Sequence, residues 1–162
     1  MHLISTVFFL AVAATPVSAN FLNTEPSAVC NYLTGDGLAT RGWKNQYDNE
    51  FGCSSLYKEI GTGMPLANNL AYYVEGSSSE ARLVKLVVNI NNKTLAGSAY
   101  TELLQASQEL SLKLSGVKLP EEISSAIKNG KKASAKAGNT EIEVIRIDWP
   151  TGKGHELKVF FE

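Results

Sequence analysis

The sequence has few of the residues on which metal-dependent and nucleophilic enzymes depend. It contains two cysteines and two histidines in 162 residues, and His2 stands at the very start, so that His155 is the one histidine of the remaining chain. A zinc site with two or three histidine ligands is therefore excluded there. The sequence also lacks a C-x-x-C pair, a G-x-S-x-G motif and a glycine-rich phosphate loop. We therefore predict no cofactor, no metal site and no enzymatic activity.

An excess of charge of one sign is also lacking. The chain carries 15 Lys and Arg against 16 Asp and Glu, a formal net charge of −1. A nucleic-acid-binding domain is usually strongly basic, so we expect no nucleic acid among the partners. The remaining composition, 44% hydrophobic and 19% charged, is typical of one soluble globular domain.

No apolar run reaches the roughly 20 residues that a transmembrane helix needs. The apolar stretch at residues 3–12 is shorter, and the small residues before Asn20 fit a signal-peptidase site. We predict a cleaved signal peptide at 1–19 and a single domain at 20–162. The protein would then be exported to the periplasm or the extracellular space, most simply in a bacterium, and would not span the membrane after cleavage. A buried N-terminal strand or helix is the alternative.

Export places the two cysteines in an oxidising compartment. We therefore predict one disulfide between Cys30 and Cys53, with two buried free thiols as the alternative.

Hydrophobic patterning predicts an α+β fold with the element order α-β-β-β-α-α-β-β. We expect an antiparallel sheet of about five strands, with the helices packed on one face. The predicted helices cover residues 24–33, 94–115 and 120–136, and the predicted strands cover 51–60, 70–75, 81–90, 142–149 and 157–161.

The strand at 142–149 has apolar residues on both faces. Ile142 and Val144 lie on one face, whereas Ile145, Ile147 and Trp149 lie on the other. This pattern predicts a β-bulge or a strand that is covered on both sides.

The segment 41–51 combines aromatic rings with amides, carboxylates and cations inside the predicted disulfide loop. Such a mixture is typical of a recognition surface, because rings give contact area and amides orient the partner. The candidate binding residues are Arg41, Trp43, Asn45, Tyr47, Asp48 and Phe51. Alternatively, the segment is a long connection whose rings pack on the core. Tyr72 and Tyr73 give a weaker signal, since one of two adjacent strand residues must face outward.

Four lysines form the one basic cluster of the sequence. On a helix that runs to Lys136, three of them would align at four-residue steps. Either they bind an anionic partner or they form a solvated helix face. The cluster comprises Lys128, Lys131, Lys132 and Lys136.

These features favour a small exported binding protein that acts by protein–protein interaction, as an accessory, inhibitor or immunity protein of the cell envelope. A carbohydrate- or lipid-binding module is the alternative, with a glycan or an anionic lipid as ligand. A small hydrolase would need His155 beside an acid such as Asp148, yet we predict that His155 is an ordinary turn residue.

Overall fold

The computed structural model describes residues 21–64 and 66–162. The predicted signal peptide at 1–19 lies outside the described residues. No helix within the described ranges is long and apolar enough to cross a membrane.

The chain forms one antiparallel sheet of eight strands with three α-helices, which confirms the α+β class. The helices are α1 (Pro26–Cys30), α2 (Ala96–Ser115) and α3 (Glu121–Asn129), with 3-10 turns at Thr34–Asp36 and Lys93–Leu95. The strands are β1 (Lys44–Tyr47), β2 (Glu50–Ser54), β3 (Lys58–Ile60), β4 (Asn68–Gly76), β5 (Ala81–Ile90), β6 (Ala133–Ala137), β7 (Thr140–Asp148) and β8 (His155–Phe161). The strand order is β1-β2-β4-β5-β8-β7-β6, and β3 pairs with β4 beside β2.

The expected strand count of about five is too low for three reasons. The segment predicted as one strand at 51–60 forms two strands, β2 and β3, which pair with opposite ends of β4. A further strand, β1, forms a hairpin with β2. Finally, α3 ends at Gly130, whose φ of 58° is the left-handed conformation that glycine adopts at a helix end, so residues 133–137 form β6. The predicted helix through Lys136 is therefore wrong.

The first helix is also shorter than the predicted helix at 24–33. Its cap is Glu25, whose carboxylate accepts hydrogen bonds from the Ser27 and Ala28 N–H groups at 3.1 and 2.7 Å. It ends at Cys30 and is followed by the 3-10 turn at Thr34–Asp36.

The long helix α2 agrees with its apolar periodicity. The 3-10 turn at Lys93–Leu95, which leads directly into α2, is capped by Asn92, whose side chain accepts a hydrogen bond from the Thr94 N–H at 3.1 Å. The buried stripe of α2, which faces β4 and β5, includes Leu103, Leu110 and Leu114. The core therefore lies between the helices and one face of the sheet.

Each central strand alternates between this core and the opposite face. On β5, Val84, Leu86 and Val88 are fully buried in the core, whereas Lys85 and Asn89 are half-buried on the other side. On that other side Val87 is also buried, but it does not belong to the cluster of core residues. We call this second side, which the described helices leave uncovered, the open face.

The prediction that the strand at 142–149 contains a β-bulge or is covered on both sides is wrong. The register of β7 with β8 runs from Ile142 to Asp148 without a shift. Ile142 and Val144 are buried in the core, whereas Ile147 on the open face is 43% exposed. The two apolar faces of β7 therefore reflect a core face and a partly solvated apolar face.

Candidate functional site

The predicted binding segment is an exposed hairpin at one edge of the sheet. Tyr47 is 81% exposed, and Arg41, Asn45 and Asp48 are also exposed. The turn is held by the Asn45 side-chain amide, which donates a hydrogen bond to the Asp48 carbonyl at 2.7 Å. Asp48 has a φ of 49°, a conformation that non-glycine residues adopt in tight turns. We call residues 41–54, which include β1, β2 and the three residues before β1, the β1–β2 hairpin.

The other two predicted residues are less exposed. Trp43 is half-buried and packs against the core, and Phe51 is also half-buried. At the base of the hairpin, Cys53 forms the predicted disulfide with Cys30 of α1. The six predicted residues therefore divide into four exposed side chains and two half-buried ones, of which Trp43 packs on the core.

The open face carries a continuous transverse row of side chains across six strands. Consecutive members of the row are directly opposite one another in the strand registers. In order from β2 to β6 the row is Ser54, Tyr73, Lys85, Phe160, Glu143 and Ser134. The row therefore places one aromatic ring on each side of Lys85, Tyr73 on β4 and Phe160 on β8.

The centre of the row is organised by Lys85. Its ammonium lies 5.0 Å from the centre of the Tyr73 ring, a cation–π arrangement, and 2.9 Å from a Glu75 carboxylate oxygen. Burial is the main cause that raises the pKa of Tyr73 to about 12, and a hydrogen bond with Tyr57 and the charges of Tyr57 and Glu156 raise it further. The Tyr73 hydroxyl therefore stays protonated at neutral pH and remains a hydrogen-bond donor. The prediction that one of Tyr72 and Tyr73 faces outward is confirmed, since Tyr72 is fully buried.

Two shallow cavities lie along the open face. One, of about 270 Å³, is at the β6 end and is lined in part by Ser134, Glu143 and Phe160. The other, of about 190 Å³, is lined in part by Gln46 and Tyr73, so the β1–β2 hairpin forms one of its walls. The hairpin and the open face thus form one continuous surface.

The four lysines of the predicted basic patch do not lie on one helix face. Lys128 is on α3, Lys131 and Lys132 are in the connection that follows, and Lys136 is on β6. All four are exposed. Lys136 forms an ion pair with Glu141 across the β6–β7 hairpin at 2.8 Å. The alignment at four-residue steps is therefore wrong, because it required the helix that ends at Gly130.

His155 is not a turn residue, because it begins β8 and is 4% exposed. Its Nε2 lies 2.6 Å from the Tyr100 hydroxyl. Burial lowers the pKa of His155, the charges of Arg146 and Lys93 lower it further, and Asp148 opposes them. The Asp148 carboxylate itself accepts two hydrogen bonds from Arg146, at 3.0 and 2.7 Å.

The two ring nitrogens of His155 differ in their hydrogen bonding. Its Nε2 is engaged by the Tyr100 hydroxyl, whereas its buried Nδ1 has no hydrogen-bond partner among the described residues. Across residues 21–64 and 66–162, no group of three His, Cys, Asp or Glu side chains lies close enough to hold a metal ion.

Sequence reasoning missed the open face as a surface. Tyr73, Lys85 and Phe160 come from three strands, and only their register brings them together. One feature of the sequence did point to this surface: Ile145 and Ile147 give β7 a second apolar face, which no described helix covers.

Comparison with known proteins identifies a family to which the chain belongs. A family model described as "Family of unknown function (DUF6030)" matches residues 4–146, which is most of the chain. No curated protein and no solved structure matches the chain. What the chain binds is therefore inferred from its described residues.

Proposed function

Since the chain belongs to the DUF6030 family of unknown function, we propose its function from the geometry: it is an exported binding protein that recognises another envelope or secreted protein. The observation that carries the proposal is the 81% exposure of Tyr47 on a hairpin whose base is held by a disulfide. An accessory, inhibitor or immunity protein would work in this way.

The side chains of the hairpin suit a protein partner. Tyrosine and arginine are enriched among the residues that contribute most to protein–protein affinity. Tyr47 supplies a large ring, and Arg41, Asn45 and Asp48 supply a cation, an amide and a carboxylate around it. A partner with a pocket for the ring and a polar rim would be complementary to this arrangement.

The hairpin is also pre-organised. The disulfide joins it to α1, Trp43 packs on the core, and Asn45 holds the turn. A surface that is ordered before binding loses less conformational entropy when the partner docks, so more of the contact energy appears as affinity.

The open face extends this surface. The cavity lined by Gln46 and Tyr73 lies where the hairpin meets the sheet. A partner seated on the hairpin can therefore also contact the aromatic and charged row beyond it.

Export is part of the same proposal. It is supported by the disulfide and by the predicted signal peptide at 1–19. Disulfides persist in oxidising compartments such as the bacterial periplasm.

The test begins with capture of partners by the tagged, oxidised chain from an envelope extract of the source organism. Any protein recovered in near-equal amount is then purified, and its affinity is measured for Tyr47→Ala. We expect a loss of about thirtyfold or more, the effect of removing a central interface residue. Leu112→Ala, which truncates a half-exposed side chain on α2, is the matched control and should leave affinity unchanged.

The variant Trp43→Ala with Tyr47→Ala should weaken binding more strongly, but Trp43 packs on the core, so its folding must be checked by circular dichroism. Unchanged affinity for folded Tyr47→Ala would remove the hairpin from the interface. Failure to recover any partner would count against a protein ligand.

A carbohydrate ligand is the second candidate, and the cavity lined in part by Gln46, Tyr73 and Glu75 favours it. An aromatic ring with an amide and a carboxylate nearby can stack on a sugar and hydrogen-bond its hydroxyls. Titration of tryptophan fluorescence with glycan fragments distinguishes the candidates, with anionic vesicles run in parallel for the lipid alternative. A saturable shift that Tyr73→Ala abolishes would favour the glycan.

A further inference from the structure

We propose that β6 is a dimerisation edge, and that it pairs antiparallel with β6 of a second copy of this chain. Within the described residues, β6 stands at one end of the strand order and pairs with β7 alone. The pairing of the two copies would join their sheets into one.

The two edges of the sheet differ in their protection. At the other edge, the register of β1 shifts between Asn45 and Tyr47, which is the kind of irregularity that prevents edge-to-edge pairing. The register of β6 with β7 runs from Ala133 to Ala137 without a shift, and the strand contains no proline. β6 is therefore the regular edge of the two.

The main-chain groups that β6 offers follow from the register. Glu141 of β7 exchanges both main-chain hydrogen bonds with Glu162, at 2.7 and 2.9 Å, so its N–H and C=O point away from β6. Its partner on β6, Lys136, therefore occupies a non-hydrogen-bonded position and directs its own N–H and C=O to the free edge. Ser134, two residues away, does the same. These four groups are what a second strand would bond.

A two-fold axis through Ala135 makes this edge self-complementary. Under that axis Lys136 lies opposite Ser134 of the second copy. Ser134 is in turn opposite Glu143, beside Phe160, in the cavity of about 270 Å³. The lysine of each copy therefore reaches across one strand to the exposed carboxylate of Glu143 in the other.

The dimer requires Lys136 to give up its ion pair with Glu141, and the loss of this pair costs little free energy. In the single chain Lys136 pairs with Glu141, and the two side chains are 66% and 62% exposed. An ion pair so exposed contributes little to stability. Lys136 can therefore exchange its partner for Glu143 of the second copy.

The same axis aligns α3 with α3 of the second copy in opposite directions. The N-terminal turn of α3 carries Glu121 and Glu122, and its last turn carries Lys128. Because α3 packs on β6 and β7, the two α3 helices would lie on the same face of the joined sheet. The acidic N-terminal end of each helix would then point in the same direction as the basic C-terminal end of the other. This places the lysine cluster of the sequence at the interface with a second copy.

The experiment measures the mass of the full, oxidised chain by analytical ultracentrifugation over a range of concentrations. We expect a monomer–dimer equilibrium. Ser134→Pro removes an N–H that points to the free edge, so the β6–β7 ladder keeps its hydrogen bonds while the second strand loses one at each of two symmetric positions. We expect dimer affinity to fall by at least about tenfold. Ser134→Thr keeps the N–H and is the matched control.

A charge exchange tests the register. Glu143→Lys should weaken the dimer, and Glu143→Lys combined with Lys136→Glu should restore it, because the pair is re-formed with its signs reversed. Amide exchange gives an independent reading: the amides of Ser134 and Lys136 should become protected at dimeric concentrations, whereas those of Ala133, Ala135 and Ala137 are protected at all concentrations.

A monomer at all concentrations would overturn the proposal, as would a dimer that Ser134→Pro leaves intact. Protection of the Ser134 and Lys136 amides only when another protein is added would assign the edge to a different partner and would likewise overturn it. None of these outcomes depends on the function proposed for the β1–β2 hairpin.

Discussion

Removal of the Cys30–Cys53 disulfide should lower the free energy of unfolding by about 3 kcal/mol. The two cysteines are 23 residues apart in sequence, and the loop-entropy relation for a loop of that size gives about 3 kcal/mol at 25 °C. We expect Cys30→Ala with Cys53→Ala to remain folded, because Val29 and Leu33 still bury their side chains in the core beside α1.

The assay is urea unfolding followed by far-ultraviolet circular dichroism at pH 7. The dependence of the unfolding free energy on urea should also become steeper, because an unfolded chain without the cross-link exposes more surface. The wild-type chain under reducing conditions is the control, since it keeps both sulfur atoms in the core and opens the same loop. Its stability should lie within about 1 kcal/mol of that of the double alanine variant.

Two results would refute this reasoning. A loss below about 1 kcal/mol would mean that the unfolded chain is already compact around this loop. A loss confined to the alanine variant, with the reduced wild type unaffected, would assign the effect to packing of the sulfur atoms.

Two further predictions concern buried polar groups. Tyr72→Phe should lower the free energy of unfolding by about 1 kcal/mol, because the Tyr72 hydroxyl donates a buried 2.6 Å hydrogen bond to the Val29 carbonyl; urea unfolding at pH 7 measures it, and an unchanged midpoint would contradict it. Stability should also fall as the pH drops below the ordinary pKa of histidine, about 6.5, because the pKa of His155 is lowered in the folded chain and the unfolded chain therefore binds more protons through that window. The slope between pH 7.5 and pH 5.5 should flatten in His155→Gln, and an equal slope in both proteins would contradict the assignment.

The elements that could be predicted from the sequence are those whose periodicity is self-contained. In α2, Leu103, Leu110 and Leu114 recur on one helical face, and all three are fully buried. In β5, alternation from residue 81 to residue 90 gives both the strand and its buried face. A local pattern decides such elements because burial follows directly from it.

The strand β6 was missed for the opposite reason. Its residues, Ala-Ser-Ala-Lys-Ala, contain no large apolar side chain, and alanine and lysine favour helices. The glycine at position 130 ends α3, and pairing with β7 then fixes the strand. Tertiary pairing thus overrides a weak local preference.

The candidate site was predicted in part. Its hairpin lies within one short segment, so the mixture of Tyr47, Asn45 and Asp48 is visible in the sequence. The open face could not be predicted in the same way, because Tyr73 and Phe160 are separated by more than half of the chain and meet only through the order of the strands.

That strand order has a consequence for assembly. Among the strands of residues 21–64 and 66–162, β8 lies between β5 and β7 and alone joins the β1–β5 part of the sheet to the β6–β7 hairpin. It also follows every other strand in the sequence, and its pairing with β5 spans more than 60 residues. Because such distant pairing is slow to form, closure of the sheet should limit the folding rate. Without β8 in place, β5 and β7 would each have one unpaired side, and unpaired strand edges of this kind promote aggregation, so we expect the incompletely folded chain to be most prone to aggregate before β8 pairs.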